Sequence, residues 1–294
     1  MRRQRVLVIL GVLVLPRVAT GQDVQVTWHD AAPRQGSFAW VIVTAAPGPV
    51  YVSGTIEDLP LPFSRASGDR FAALAAVPLA AEDSVTVSLR LEFARGRVRD
   101  IERRLPVTRA RLPVERLSVD PRFTRPPDSA LQTRIERETA LARGVTEQAL
   151  ATRRLWSAPF VAPRTGRVTS VFGIGRVFNG QLRSRHLGTD FDGAVGAPVV
   201  AANRGVVALV GDFYYAGRVL YLNHGAGLIT AYLHLNDVVV ATGDTVEAGQ
   251  LIGRVGASGR VTGPHLHWAV RVGPSSVDGQ SLLALPPLER LFER

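Results

Sequence analysis

Six histidines occur in the 294 residues, and their spacing is the first sign of chemistry. In His265-Leu266-His267 the two imidazoles are two positions apart. Residues i and i+2 of a strand share a face, so both rings project together while Leu266 and Trp268 turn the other way. In His186-Leu187-Gly188-Thr189-Asp190 an imidazole and a carboxylate stand four apart, with a glycine between them that lets both fold onto one cation. Tyr232-Leu233-His234 repeats the same-face spacing and sets a phenol beside an imidazole. His29 stands alone and reads as a structural or surface residue. His224, within Asn223-His224-Gly225-Ala226-Gly227, reads as a turn residue.

A hydrolytic zinc site needs three protein ligands and one open position for water, and two histidines plus a carboxylate meet that need. A further imidazole beside the open position can take the water's proton. The chain holds a surplus for this, four histidines and Asp190, and spacing alone leaves open which three would ligate.

The stretch that must position these groups is rich in strand-like runs. Val168 to Phe172, Pro198 to Ala202, Val206 to Val210, Val219 to Leu222, Leu228 to Leu233, Leu251 to Val255 and His265 to Val272 are separated by glycine turns. No amphipathic helix interrupts them, which favours an antiparallel sheet or barrel over a doubly wound fold. We expect residues 159–282 to form this unit, with 283–294 as a tail. Upstream, residues 22–110 read as a small all-β unit. Ser84 to Phe93 alternates as Val85, Val87, Leu89, Leu91 and Phe93, and short strands between Pro and Gly clusters suggest an immunoglobulin-like sandwich. Residues 111–158 read as a connector. It is extended at first, and then a helix capped by Asp128 runs to about Trp156. Leu131, Ile135, Ala142, Val145 and Ala149 form one apolar stripe on that helix, the mark of a strut packed on the next unit.

Composition narrows the functions. The chain is 46% hydrophobic and 20% charged, with a net charge of +10 and no cysteine. Disulfides, cysteine-ligated zinc, iron–sulfur clusters and thiol nucleophiles are excluded. All 35 basic residues are arginine. Without lysine there is no Walker-A loop, no Schiff base and no biotinyl or lipoyl carrier, although Gly243 to Gln250 is similar to a carrier hairpin. Residues 1–21 carry a basic start, a ten-residue apolar run from Val6 to Leu15, and small residues at Ala19-Thr20-Gly21. They read as a cleaved export signal, since ten apolar residues are too few to span a bilayer. We therefore expect a periplasmic or secreted protein without stable membrane insertion. Nucleic acid is not an expected partner, because the arginines are spread along the connector and helix and are not interleaved with aromatics on one face.

The order His186-xxx-Asp190, Tyr232-x-His234 and His265-x-His267 resembles the lysostaphin-type zinc endopeptidases, which cut peptide bridges in bacterial peptidoglycan. The stretches GVVALV, LYLNHGAGLITAYLHL, VEAGQLIGRVGASG and TGPHLHW fit the same pattern, over about residues 159–280. The resemblance implies one zinc ion held by His186, Asp190 and His267. It makes His265 and His234 the catalytic histidines, one as general base and one, with the Tyr232 hydroxyl, as stabiliser of the oxyanion. Arg176 and Asn179 fall where the family builds a rim of its substrate groove. The implied substrate is a peptidoglycan stem-peptide cross-link. Some relatives of this fold lose the zinc and instead bind peptidoglycan and switch on other wall hydrolases, but none of the five positions is substituted here. Ala269 departs from the glutamate that many members carry, outside the metal set.

Overall fold

The computed structural model describes residues 24–29 and 31–292. The expected export signal lies outside them. Eight strands come first: β1 (Val24–Trp28), β2 (Phe38–Ala45), β3 (Tyr51–Ile56), β4 (Leu59–Pro60), β5 (Ser64–Ser67), β6 (Arg70–Ala76), β7 (Ser84–Glu92) and β8 (Val98–Pro106). They form two four-stranded sheets, ordered β1-β2-β6-β5 and β4-β3-β7-β8. That is the immunoglobulin arrangement, with β4 as a short added strand. In β7 the alternation is as expected: Val85, Val87, Leu89 and Leu91 are buried and meet Val41, Val43 and Phe71 of the facing sheet in one core.

The connector contains β9 (Val114–Leu117) and helix α1 (Ser129–Ala151). Asp128 caps the helix, its carboxylate accepting from Leu131 N–H at 2.8 Å. Val145 and Ala149 of the apolar stripe pack on Tyr221, Ile229 and Ala231 of the following sheet. The helix stops about five residues short of Trp156 for a physical reason. Gly227 N–H and Ala226 N–H take the carbonyls of Ala149 and Thr152, and Leu155 N–H donates to His224 O, so the chain runs on extended.

The remaining strands are β10 (Val168–Ser170), β11 (Gly175–Phe178), β12 (Leu182–Arg185), β13 (Thr189–Asp192), β14 (Pro198–Val200), β15 (Gly205–Phe213), β16 (Gly217–Gly225), β17 (Leu228–Val238), β18 (Thr245–Val246), β19 (Leu251–Val255), β20 (His265–Val272) and β21 (Ser275–Val277), followed by helix α2 (Gly279–Ala284). Ten of them form one sheet whose spine is β10-β13-β20-β17-β16-β15-β18. All of its pairs are antiparallel, as expected. One parallel pair lies outside that sheet: β9 of the connector pairs with β11 and so adds a strand to the β11–β12 hairpin.

Residues 278–291 pack against the sandwich. Leu291 packs with Trp40, Ile42 and Ala72 of the sandwich, and Trp40 Nε1–H donates to Pro286 O at 3.0 Å. Phe38 N–H donates to Ser281 Oγ, and Arg34 pairs with Asp278 at 3.2 Å. The sandwich and the second unit are thereby clasped along α2 and the segment after it. Among the described residues, no helix is long and apolar enough to cross a membrane.

Candidate metal centre and groove

Strand β20 carries the site. Leu266, Trp268, Val270 and Val272 are buried on one face, and His265 and His267 share the other. The register with β13 sets Asp190 opposite His267 and Asp192 opposite His265. On the other flank, β17 sets Leu233 opposite His267. His186 arrives from the turn before β13, where its N–H donates to Ile174 O and its carbonyl accepts from Gly173 N–H. Gly188 lets that turn pass over the His267 ring, since a Cβ there would fall 2.5 Å from His267 Nε2.

These elements bring three donors to one point. His186 Nε2 lies 2.9 Å from Asp190 Oδ1 and 3.0 Å from His267 Nδ1, and His267 Nδ1 lies 2.8 Å from Asp190 Oδ1. Among the described residues, this is the group of three whose ligand atoms fall within 4.8 Å of one another. The chemistry of the set fits a cation. His186 Nδ1 faces the Val171 carbonyl at 2.8 Å, so it carries the proton and leaves Nε2 as a bare lone pair. That lone pair points at a carboxylate oxygen and at a second imidazole, an arrangement that a divalent ion satisfies. A carbonyl behind a ligating imidazole is also the usual outer support of such a ligand. The separations approach the edge of about 3.3 Å expected of a tetrahedron with bonds of about 2.0–2.1 Å.

The electrostatics agree. Burial acts to raise the Asp190 pKa, but the hydrogen bonds to His186 and His267 outweigh it and hold the carboxyl well below the usual carboxylate range. Burial lowers His267, against the pull of Asp190, which favours a neutral ring able to ligate. The other carboxylate oxygen, Oδ2, accepts from Arg176 Nη2 at 2.6 Å.

His234 and His265 stand beside this group, their ring centroids 5.0 Å apart. His265 Nε2 is 3.7 Å from Asp190 Oδ1, and the His234 centroid is 5.8 Å from that of His267. Both Nδ1 atoms face backbone carbonyls at 2.8 Å, Ser258 O for His234 and Gly263 O for His265. With Nδ1–H donated to its carbonyl, each ring turns Nε2 the other way. Burial, first of all, and then the charges of His267 and His265 push His234 well below its ordinary value. His234 sits where β17 leaves β20 and turns to pair with β19, and its φ is +62°. A left-handed backbone at a bulky residue carries strain, and here it serves to aim a side chain.

That bend overturns the same-face expectation for Tyr232. Tyr232 lies opposite Trp268 and is packed with it in the core, while the left-handed residue resets the alternation and brings His234 round to the other face. The Tyr232 hydroxyl accepts from Ala202 N–H at 2.8 Å and shares a 3.0 Å hydrogen bond with Thr230 Oγ1, and burial pushes its pKa up to about 12. It does not line the groove.

The groove, about 300 Å³ beside Asp190, is walled by Arg176, Phe178, His234, Arg260 and His265, and by Leu117 of the connector. Arg176 is there as expected, though turned inward onto Asp190. Asn179 is not: its side chain makes a two-way bond to the backbone of Val119, at 3.0 and 2.9 Å, and so fastens the connector. Three residues were not singled out from sequence. Arg260 stacks over Phe178 and Tyr215 at 4.3 and 4.7 Å. Ser258 and Glu115 act through backbone and long-range pairing, which leave no local signature. His224 is no turn residue but the buried end of β16, with Nδ1 on Arg204 O and Nε2 on Thr230 Oγ1, both at 2.7 Å. His29 lies edge-on to Phe292 in the sandwich.

A groove that reaches a His-Asp-His donor group on an antiparallel sheet, with two more imidazoles beside it, is a candidate hydrolytic metal centre. Residues 184–279 match the model of peptidase family M23. The chain is 44% identical over 104 residues to the peptidoglycan DD-endopeptidase ShyC of Vibrio cholerae, a match that covers 35% of this chain and 24% of that protein. It is 38% identical over 104 residues to the DD-carboxypeptidase/endopeptidase Mpg of Neisseria meningitidis, with the same coverage of 35% and 24%. The chain thus spans about a quarter of the length of these relatives. The crystal structure of a candidate M23 peptidase from Pseudomonas aeruginosa is similar over 85% of this chain and 95% of that one, with 26% identity and a TM-score of 0.64.

Proposed function

We propose that the protein is a zinc-dependent endopeptidase that hydrolyses peptide cross-links of bacterial peptidoglycan, in the periplasm or outside the cell. The observation that carries this reading is the convergence of His186 Nε2, Asp190 Oδ1 and His267 Nδ1 on one point, at 2.8 to 3.0 Å from one another. We take residues 159–282 as the catalytic unit and 22–110 as a separate sandwich. The names of the similar proteins favour the bond between D-alanine and a diamino acid over a glycine bridge.

In this reading His186, Asp190 and His267 hold the zinc. Zinc supplies a Lewis acid that polarises the scissile carbonyl and acidifies the attacking water. The Ser258 and Gly263 carbonyls keep the Nδ1 protons of His234 and His265 in place, so both Nε2 lone pairs face the groove. One Nε2 takes the water's proton and, as N–H, passes it to the departing amine. Burial keeps His234 neutral and its lone pair available. Arg176 fixes the orientation of Asp190. Tyr232, with its hydroxyl committed inside the core, holds the sheet and takes no part in the chemistry.

The test is digestion of purified cross-linked muropeptides by zinc-loaded protein, with and without chelator, read by mass spectrometry. We expect monomers from dimers only in the metal-loaded sample, and His267→Ala to lose zinc retention and hydrolysis together. Dimers left intact by zinc-loaded protein refute the reading.

A further inference from the structure

The support of the metal group extends beyond the stretch that matches the family. Parallel pairing of β9 with β11 puts Glu115, from the connector, opposite Arg176. The Glu115 carboxylate lies 3.4 Å from Arg176 Nε, and both of its oxygens are 3.2 Å from Ser170 Oγ. Arg176 Nη2 donates to Ser170 Oγ at 2.8 Å and to Asp190 Oδ2 at 2.6 Å. Ser170 Oγ in turn lies 3.3 Å from His186 Nδ1. Two of the three candidate ligands, Asp190 and His186, are therefore tied through Arg176 and Ser170 to one carboxylate on the connector. The Arg176 side chain is only 14% exposed, so its charge is poorly screened.

We propose that Glu115 is a positioning residue for the metal centre. Arg176 turns Asp190 so that Oδ2 faces the guanidinium and Oδ1 faces the two imidazoles. The same guanidinium puts a positive charge beside the place where a divalent cation binds. Glu115 offsets that charge through the ion pair with Nε and shares Ser170 Oγ with the guanidinium. The catalytic unit is then incomplete without residues 114–117, which the sequence places in a linker. This inference rests on the metal reading of His186, Asp190 and His267.

The test uses the whole chain with E115Q, E115D and R176M. Zinc affinity is measured by competition with a chromophoric chelator, the visible spectrum is recorded on cobalt-substituted protein, and the fold is checked by circular dichroism of metal-free samples. Outer supports of this kind typically change metal affinity about 10–100-fold. We expect E115Q to bind zinc at least tenfold more weakly than wild type with an altered cobalt spectrum. E115D, whose carboxylate is withdrawn by one methylene, falls between the two. In the R176M background, E115Q adds no further loss. If E115Q does not fold, E115D carries the test: unchanged affinity and spectrum overturn the proposal. Wild-type affinity and spectrum in a folded E115Q whose melting temperature alone has fallen also overturn it, since Glu115 would then merely pin a strand. Wild-type protein that binds no zinc at all refutes instead the metal reading underneath.

Discussion

Replacing His224 with glutamine should flatten the acid side of the stability profile. His224 is fully buried, and burial lowers its pKa from 6.5 to about 4 despite the hydrogen bond to Arg204 O. The unfolded chain therefore binds a proton below pH 6.5 that the folded chain refuses until about pH 4. Stability attributable to this ring is whole above pH 6.5 and is lost as the pH falls from there to about 4. A shift of that size, at 1.36 kcal/mol per unit, corresponds to about 3 kcal/mol. Burial leaves little solvent to screen it. Glutamine keeps a donor and an acceptor for Arg204 O and Thr230 Oγ1 and cannot titrate. Urea unfolding of the chelated wild type and variant, at steps from pH 7 to pH 4, gives the difference directly. Contributions common to both proteins, such as those of His234 and His267, cancel in it. The gap between the two curves should shift in the variant's favour by about 3 kcal/mol over that range. Parallel curves would refute the assignment of His224 as a ring buried neutral.

Further outcomes follow from the same geometry. Gly188→Ala puts a Cβ 2.5 Å from His267 Nε2 and 2.7 Å from Trp268 O, so zinc affinity by chelator competition should fall, with a stability loss of about 1–3 kcal/mol. His234→Ala and His265→Ala should each retain one zinc by elemental analysis yet lose about 10²–10⁴-fold in muropeptide turnover. Leu291→Ala, at a buried contact with Trp40 and Ile42, should cost about 2–5 kcal/mol of unfolding free energy in urea titration while leaving zinc content unchanged.

What the sequence discloses about the site follows from how local each signal is. His265 and His267 are legible because a strand repeats every two residues and nothing interrupts β20. Asp128 is legible as a cap because its partner, Leu131 N–H, is three residues away. Tyr232 is misread because one left-handed residue at position 234 resets that period, and no residue type announces it. His224 is misread because its glycine-rich surroundings resemble a loop, while its burial comes from Arg204, Thr230 and Phe160 across the sheet. Glu115 and Leu291 depend on partners 61 and 251 positions away, Arg176 and Trp40, so they look like ordinary linker and tail residues.

Spacing alone also leaves the roles of the histidines undecided, and the backbone supplies the missing information. His186, His234 and His265 each turn Nδ1 to a carbonyl at 2.8 Å, from Val171, Ser258 and Gly263. In each, the proton is held on the side away from the groove and Nε2 is left to work. His267 is the exception, since its Nδ1 faces Asp190 and His186. Two histidines on one face of one strand thus present different nitrogens. One offers Nε2 to the groove, and the other offers Nδ1 to the donor group. The difference arises because β13 flanks His267 with Asp190, whereas the Gly263 carbonyl at the start of β20 reaches His265 first. On the proposed reading, ligand and base would be told apart by which main-chain or carboxylate oxygen reaches each ring, a property of the sheet register and its turns that the identity of the residues does not contain.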